Sequence, residues 1–251
     1  RNVEGVRNAY AANTLGARGF YAESGSTYSN PHERGVHDML VRAVALWPEL
    51  WAPEAANTDG MDAAQVDRSD GRTDGATVGV SGRIPDLPDL PGEADSGRIL
   101  DLSCGSGEVT AALVAAGVSV DRIDACDPYT GKAYLRRVGR PAETWSFEDF
   151  ARGDLSDRRW SVILCSFAMH LCDRAYLPTL CMMLACSTNN LIILTPHKRP
   201  DIDPGWGWHL WSESRDPYWR IRLRRYSTQY PAEPPTLPML VANEVDDDGD
   251  D

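Results

Sequence analysis

Ten residues, Asp101-Leu-Ser-Cys-Gly-Ser-Gly-Glu-Val-Thr110, constrain this chain more than any other stretch. They continue a short apolar run at 98–102 (RILDL) and lead into 108–116, rich in Val, Ala and Leu. The order is strand, tight glycine turn, helix. Gly105 and Gly107 let the backbone turn sharply and approach a ligand through conformations that a Cβ penalises. A dinucleotide fingerprint would put Gly or Ala where Thr110 stands. Here that residue is missing, and an acid, Asp101, precedes the turn. A carboxylate there suits a cationic amino-acid ligand and repels a pyrophosphate.

Downstream, strand and helix patterns alternate, which is the mark of an open, mostly parallel sheet. After the first strand, strands are predicted at 122–126 (RIDAC), 143–147, 160–167 (WSVILCSF) and 191–196 (LIILTP). Helices are predicted at 132–138 and 175–186, with a short helical turn at Phe150. The runs 208–214 and 218–226 flank Arg215-Asp216-Pro217 and predict an antiparallel hairpin at the sheet edge. The fold class is therefore α/β: a Rossmann-like, seven-stranded, mostly parallel sheet with a C-terminal antiparallel hairpin, helices on both faces and an N-terminal helical cap. In the cap, Asn30 and Pro31 start a helix over 32–46 that places Val36, Met39, Leu40, Ala43 and Leu46 on one face. Trp206, Trp208, Trp211 and Trp219 are expected to pack the hairpin onto a helix.

The acid, three residues, then Gly-x-Gly of 101–107 resembles the first motif of the class I S-adenosylmethionine-dependent methyltransferases. The resemblance covers 98–227 well and 20–50 loosely. It implies S-adenosyl-L-methionine as cofactor, its methionine part backed by Asp101, Gly105 and Gly107 with Ser103 and Ser106 as neighbours. Asp127, before Pro128, lies 20 residues beyond Gly107, where such sheets place an acid against a ribose. The alternative for Asp127 is a strand-end turn. In SFEDF (146–150) the family places an acid on the adenine amino group and an apolar neighbour against the ring. Asp149 fits, with Glu148 as the alternative acid and Phe147 or Phe150 against the ring; a helix start is the competing account.

Ligands of α/β sheets lie beyond the carboxyl ends of strands, so Ser166, Phe167 and His170 are expected to border the reacting centre. His170 is the leading candidate base, with His32 also at the rim, since an imidazole takes up a proton near neutral pH. A packed histidine is the alternative. From the cap, Tyr28, Asn30 and His32 are candidates to shape an acceptor pocket. The segment after the fourth strand lacks the Asn/Asp-Pro-Pro-Tyr/Phe form associated with methylating nucleobase amines, which counts against that substrate. His32, His170 and His197 lack metal-ligand spacing, so no metal is expected.

Four regions are expected: a cap (1–51), a flexible low-complexity insertion (52–97), the S-adenosylmethionine-binding core (98–230) and an acidic disordered tail (231–251). Formal net charge is -12, from 37 acidic and 25 basic residues, which disfavours nucleic acid without excluding it. Basic clusters at Arg136–Arg137 and within 220–225 remain candidates for a substrate face. No apolar run approaches the roughly 18–20 residues needed to span a bilayer. The six cysteines include no CxxC pair, as expected of small buried hydrophobes in the cytoplasm. The expected activity is methyl transfer to an O, N or S acceptor on a small molecule or accessible polymer group. A catalytically inactive module serving as a protein-binding subunit, and a nicotinamide dehydrogenase, are the competing functions.

Overall fold

The computed structural model describes residues 16–52, 97–196 and 198–228. Nearly all of the expected insertion, the acidic tail and His197 lie outside them. Two helices come first, α1 (Gly16–Ser24) and α2 (Glu33–Leu46). The sheet region then runs β1 (Ile99–Leu102), α3 (Glu108–Ala115), β2 (Ile123–Cys126), α4 (Gly131–Val138), α5 (Phe147–Arg152), β3 (Val162–Ser166), α6 (Leu177–Ser187), β4 (Asn190–Thr195), β5 (Trp208–Arg215) and β6 (Arg222–Thr228).

The strands form one sheet in the order β2-β1-β3-β4-β6-β5. The first four are mutually parallel, whereas β6 runs antiparallel to β4 and β5 antiparallel to β6. Continuous apolar sequence in β1, β3 and β4 follows from burial on both faces. Ile99, Val162, Leu164, Ile192 and Leu194 point to the face covered by α2 and α3. Leu100, Leu102, Ile163, Cys165, Leu191 and Ile193 point to the face carrying Phe150 of α5 and Leu180 and Leu184 of α6. Alternation at the two-residue period of a strand thus feeds two cores from one ribbon.

Six strands, not seven, are present among the described residues. The expected third strand at 143–147 is reduced to one parallel bridge, Cys126↔Glu143. Pro141 cannot donate to a ladder, and at Ser146 the chain has already turned into α5. There Ser146 and Asp149 form a reciprocal capping box, each side chain satisfying the other's backbone amide. The strand at 218–226 begins only at Arg222, because Asp216 accepts from the amides of Tyr218 and Trp219 and fixes a turn there.

Helix α2 starts at Glu33 with His32 as its cap residue, one turn position later than expected. Asn30 instead accepts from the His32 amide and fixes the bend before the helix. Val36, Met39, Leu40 and Ala43 are buried, but Leu46 is 65% exposed at the frayed end. Of the tryptophans, buried Trp208 donates to the Cys181 carbonyl of α6 at 2.8 Å and Trp219 donates to Asp38 of α2 at 3.1 Å, whereas Trp211 is 55% exposed.

Much of each basic cluster is engaged within the protein. Arg137 makes a two-pronged pair with Glu33, Arg136 donates to the Ser26 carbonyl, and Arg224 pairs with Glu213. Arg225 is paired with Glu49 and lies over the Trp211 ring at 3.8 Å. All six cysteines are free thiols. Among the described residues, no helix is long and apolar enough to cross a membrane.

Candidate functional site

Strand order sets where a ligand can enter. From β1 the chain moves to β2 on one side and then to β3 on the other, so direction reverses between β1 and β3. At such a switch point the loops leaving neighbouring carboxyl ends diverge and open a crevice. A cleft of about 270 Å³ lies there, lined by residues following β1, β2 and β3 and roofed by residues from α1 and the segment before α2.

Ser103 and Phe167 each follow the end of a parallel strand, and both hold left-handed backbone, with φ of 58° and 57°. Non-glycine residues rarely keep that conformation unless their surroundings enforce it, and such strain gathers at ligand sites. Gly105 has φ of +57°, and a Cβ on it would lie 3.0 Å from Tyr28 Cε1 and 3.3 Å from Glu108 Oε2. The glycine therefore keeps the roof close to the turn. Gly107 (φ +88°) is packed on the opposite side, against Val138 and Tyr134 of α4, and does not line the cleft.

Asp101 lies beneath the turn, not in the cleft wall. Fully buried, it accepts from the Thr110 amide at 3.2 Å and the Thr110 hydroxyl at 2.7 Å, and that hydroxyl also contacts Tyr134 OH. Burial above all, with repulsion from Glu108 and Asp127 adding, pushes its carboxyl up to about 7. Asp101 and Thr110 thus buttress the turn from behind, which accounts for Thr at the position a dinucleotide site gives to Gly or Ala. Ser106 is also buried, donating to Glu108.

Asp127 does line the cleft. One oxygen accepts from the amides of Tyr129 (2.8 Å) and Thr130 (3.0 Å), the other from the Gly105 amide (3.3 Å). A single carboxylate therefore ties the loop after β2 to the glycine turn. Burial raises its pKa, and the amide bonds oppose that rise. Pro128 and Tyr129 extend the same wall.

In the SFEDF segment, Phe147 and Glu148 reach the cleft and Asp149 does not. Asp149 is held by the amide and hydroxyl of Ser146 and by Arg152, interactions that keep it below its ordinary pKa, the Ser146 amide foremost. Phe150 is buried in the core beneath α6, so Phe147 is the aromatic of the wall. At β3, Ser166 and Phe167 line the cleft, and the buried Ser166 hydroxyl has no hydrogen-bond partner among the described residues.

Neither imidazole lines the cleft. His32 stacks on Phe167 with ring centroids 4.9 Å apart. His170 sits half-buried in the helical turn Met169–Leu171 and is not part of the wall. Tyr28 and Asn30 of the cap do line it.

Several wall residues were not singled out from sequence. Glu108, at the start of α3, is 5% exposed and accepts from the Asn30 amide at 2.9 Å, so it docks the cap onto the glycine turn. Arg18 of α1 donates to Tyr129 OH (3.2 Å) and pairs with Glu148 (3.4 Å) across the mouth. Cys172 also lines the cleft, and burial pushes its thiol up to about 11, so it is a neutral apolar surface and not a nucleophile near pH 7. Among the described residues, no group of three His, Cys, Asp or Glu side chains is placed to hold a metal ion.

No family model matches the chain. It is similar to an uncharacterized protein of Schizosaccharomyces pombe, 28% identical over 227 residues, which make up 84% of this chain and 85% of the other. Among solved structures it is similar to the magnesium protoporphyrin IX methyltransferase of Synechocystis PCC 6803 with bound SAH. That similarity runs at 13% identity over 90% of this chain and 95% of the other, with a TM-score of 0.47. It is also similar to TehB from Haemophilus influenzae, at 12% identity over 53% of this chain and 57% of the other, with a TM-score of 0.37.

Proposed function

We propose that the chain is an S-adenosylmethionine-dependent methyltransferase acting on an O, N or S acceptor. The observation that carries this is the joint between the two diagnostic loops. A left-handed glycine turn after β1 and an acid at the tip of β2 meet through the Gly105 amide and Asp127, on one cleft at the switch point. The walls fit the cofactor. Gly105 leaves room that a Cβ would fill. A carboxylate has about four acceptor sites, so Asp127 keeps capacity for a ribose hydroxyl beyond its three amides.

The wall chemistry argues against a nicotinamide dinucleotide. A pyrophosphate needs open amides at a helix N-terminus. At the start of α3 that place holds the Glu108 carboxylate, buried and bonded to Ser106 and Asn30. A negative charge there favours a cationic ligand.

The cofactor supplies an electrophilic methyl group on a cationic sulfur. The protein's part is placement and exclusion of water. Ser103, Gly105 and Asp127 would hold one end, Phe147 and Glu148 would flank a flat ring, and Tyr21 and Tyr28 roof the cleft. Orientation of this kind lowers barriers by roughly 7–11 kcal/mol in favourable cases, so no nucleophile is required of the chain. Where the acceptor must lose a proton, His32 is better placed than His170 to receive it, because its ring rests on the cleft-lining Phe167.

Titration calorimetry with S-adenosylmethionine tests the assignment, together with label transfer from methyl-labelled cofactor in a cell extract. Micromolar binding, weakened about tenfold or more by Asp127→Asn, and labelled product are expected. Unchanged affinity in the variant would remove the site. Binding without any transfer would favour the inactive protein-binding module.

A further inference from the structure

The cleft has two unlike halves, and their chemistry restricts what the second can hold. The half built on β1, β2 and α5 carries the polar turn and three acids, Glu108, Asp127 and Glu148. The half at the carboxyl end of β3 is walled by Phe167, Ala168, Leu171, Asp173 and Tyr176. Among the described residues, Arg18 is the one Lys or Arg in the whole wall, and it is committed to Tyr129 and Glu148. An anionic acceptor in this half would thus lose its hydration beside Asp173, with three further carboxylates elsewhere in the wall and no uncommitted Lys or Arg of the wall to meet it. Such like-charge juxtaposition excludes partners. The aromatic rings instead match a flat apolar face, and Phe167 is held towards the cleft in left-handed backbone with its ring braced on His32. Recognition through apolar walls with one or two polar anchors is how small-molecule pockets set orientation. Ser166, whose buried hydroxyl has no partner among the described residues, is such an anchor at the end of β3.

We infer that the half of the cleft at the end of β3 takes an uncharged aromatic acceptor bearing a hydroxyl or amino group, and rejects acceptors carrying carboxylate or phosphate. This rests on the methyl-transfer function proposed above and adds the acceptor class to it.

The test uses the full chain saturated with S-adenosylhomocysteine and two probes of one shape, 2-naphthol and 2-naphthoate, titrated by calorimetry at neutral pH. 2-Naphthol should bind about tenfold or more tightly than 2-naphthoate. In Tyr176→Lys, a change at a residue 54% exposed, the added cation should bring the two within about threefold. Equal or tighter binding of 2-naphthoate to the native chain overturns the inference. So does failure of both probes to bind, or a preference left unmoved by Tyr176→Lys. The cofactor titration is separate: loss of S-adenosylhomocysteine binding indicts the cofactor site, whereas normal cofactor binding with the wrong probe preference indicts the acceptor class alone.

Discussion

Replacing Gly105 by Ala separates a role in the cleft from ordinary backbone strain. At φ +57°, an L-residue costs roughly 1–2 kcal/mol relative to glycine. For a domain of about 150–250 residues each kcal/mol lowers Tm by about 2–4 °C, so a fall of about 2–8 °C is expected. Gly117→Ala is the matched control. Its φ is +97°, it carries the same kind of strain, and its Cβ would meet nothing within 4 Å. Both variants should lose similar stability by scanning calorimetry. Only Gly105→Ala adds a methyl group to the cleft wall, 3.0 Å from Tyr28 and 3.3 Å from Glu108, which pushes the roof away and narrows the approach. An extra methylene-sized group in a pocket is worth about 1–3 kcal/mol, so S-adenosylmethionine should bind about tenfold more weakly or worse. Gly117→Ala should bind it normally. If the two variants bind the cofactor equally well, the glycine turn is a folding device and the cofactor does not rest on it.

Two further outcomes follow from buried polar groups. Asp101 has a folded pKa of about 7 against an ordinary value near 3.9, so the folded state holds the extra proton between those values. Its contribution is therefore fully present below about pH 4 and is lost as pH rises through 7, by an amount on the order of 4 kcal/mol at most. Urea unfolding from pH 5 to 8 should show a steeper loss in the native chain than in Asp101→Asn, and identical slopes would contradict this. Trp208→Phe removes the donor to the Cys181 carbonyl from a side chain 1% exposed, and should cost about 1–3 kcal/mol by urea titration. An unchanged midpoint would mean that apolar contact alone holds β5 onto α6.

Local features were legible in the sequence, and features decided by distant partners were not. Strand, glycine turn and helix between 98 and 116 were readable because period and punctuation occur within one window. Asp127 was readable from spacing. The inward turn of Asp101 was not, since its partner Thr110 looked merely like a missing glycine. Glu108 resembled any acid in a helix's first turn. Its function depends on Asn30, 78 residues away, as that of Arg18 depends on Tyr129, 111 residues away. The choice between Asp149 and Glu148 was decidable beforehand. Ser146-x-x-Asp149 is a capping-box spacing, which commits Asp149 to the backbone and leaves Glu148 for the cleft. The same signal, with Pro141 just upstream, explains why the third strand dwindled to one bridge.

Synthesis order gives the strand arrangement a temporal meaning. Among the described strands β6 is made last, yet it lies between β4 and β5 and pairs with β4 from Asn190↔Ser227 to Thr195↔Arg222. Until residue 228 has left the ribosome, the nascent chain presents β4 with one flank of amides and carbonyls open to any extended peptide nearby. A chain cut short before residue 222 therefore keeps that flank unpaired and sticky.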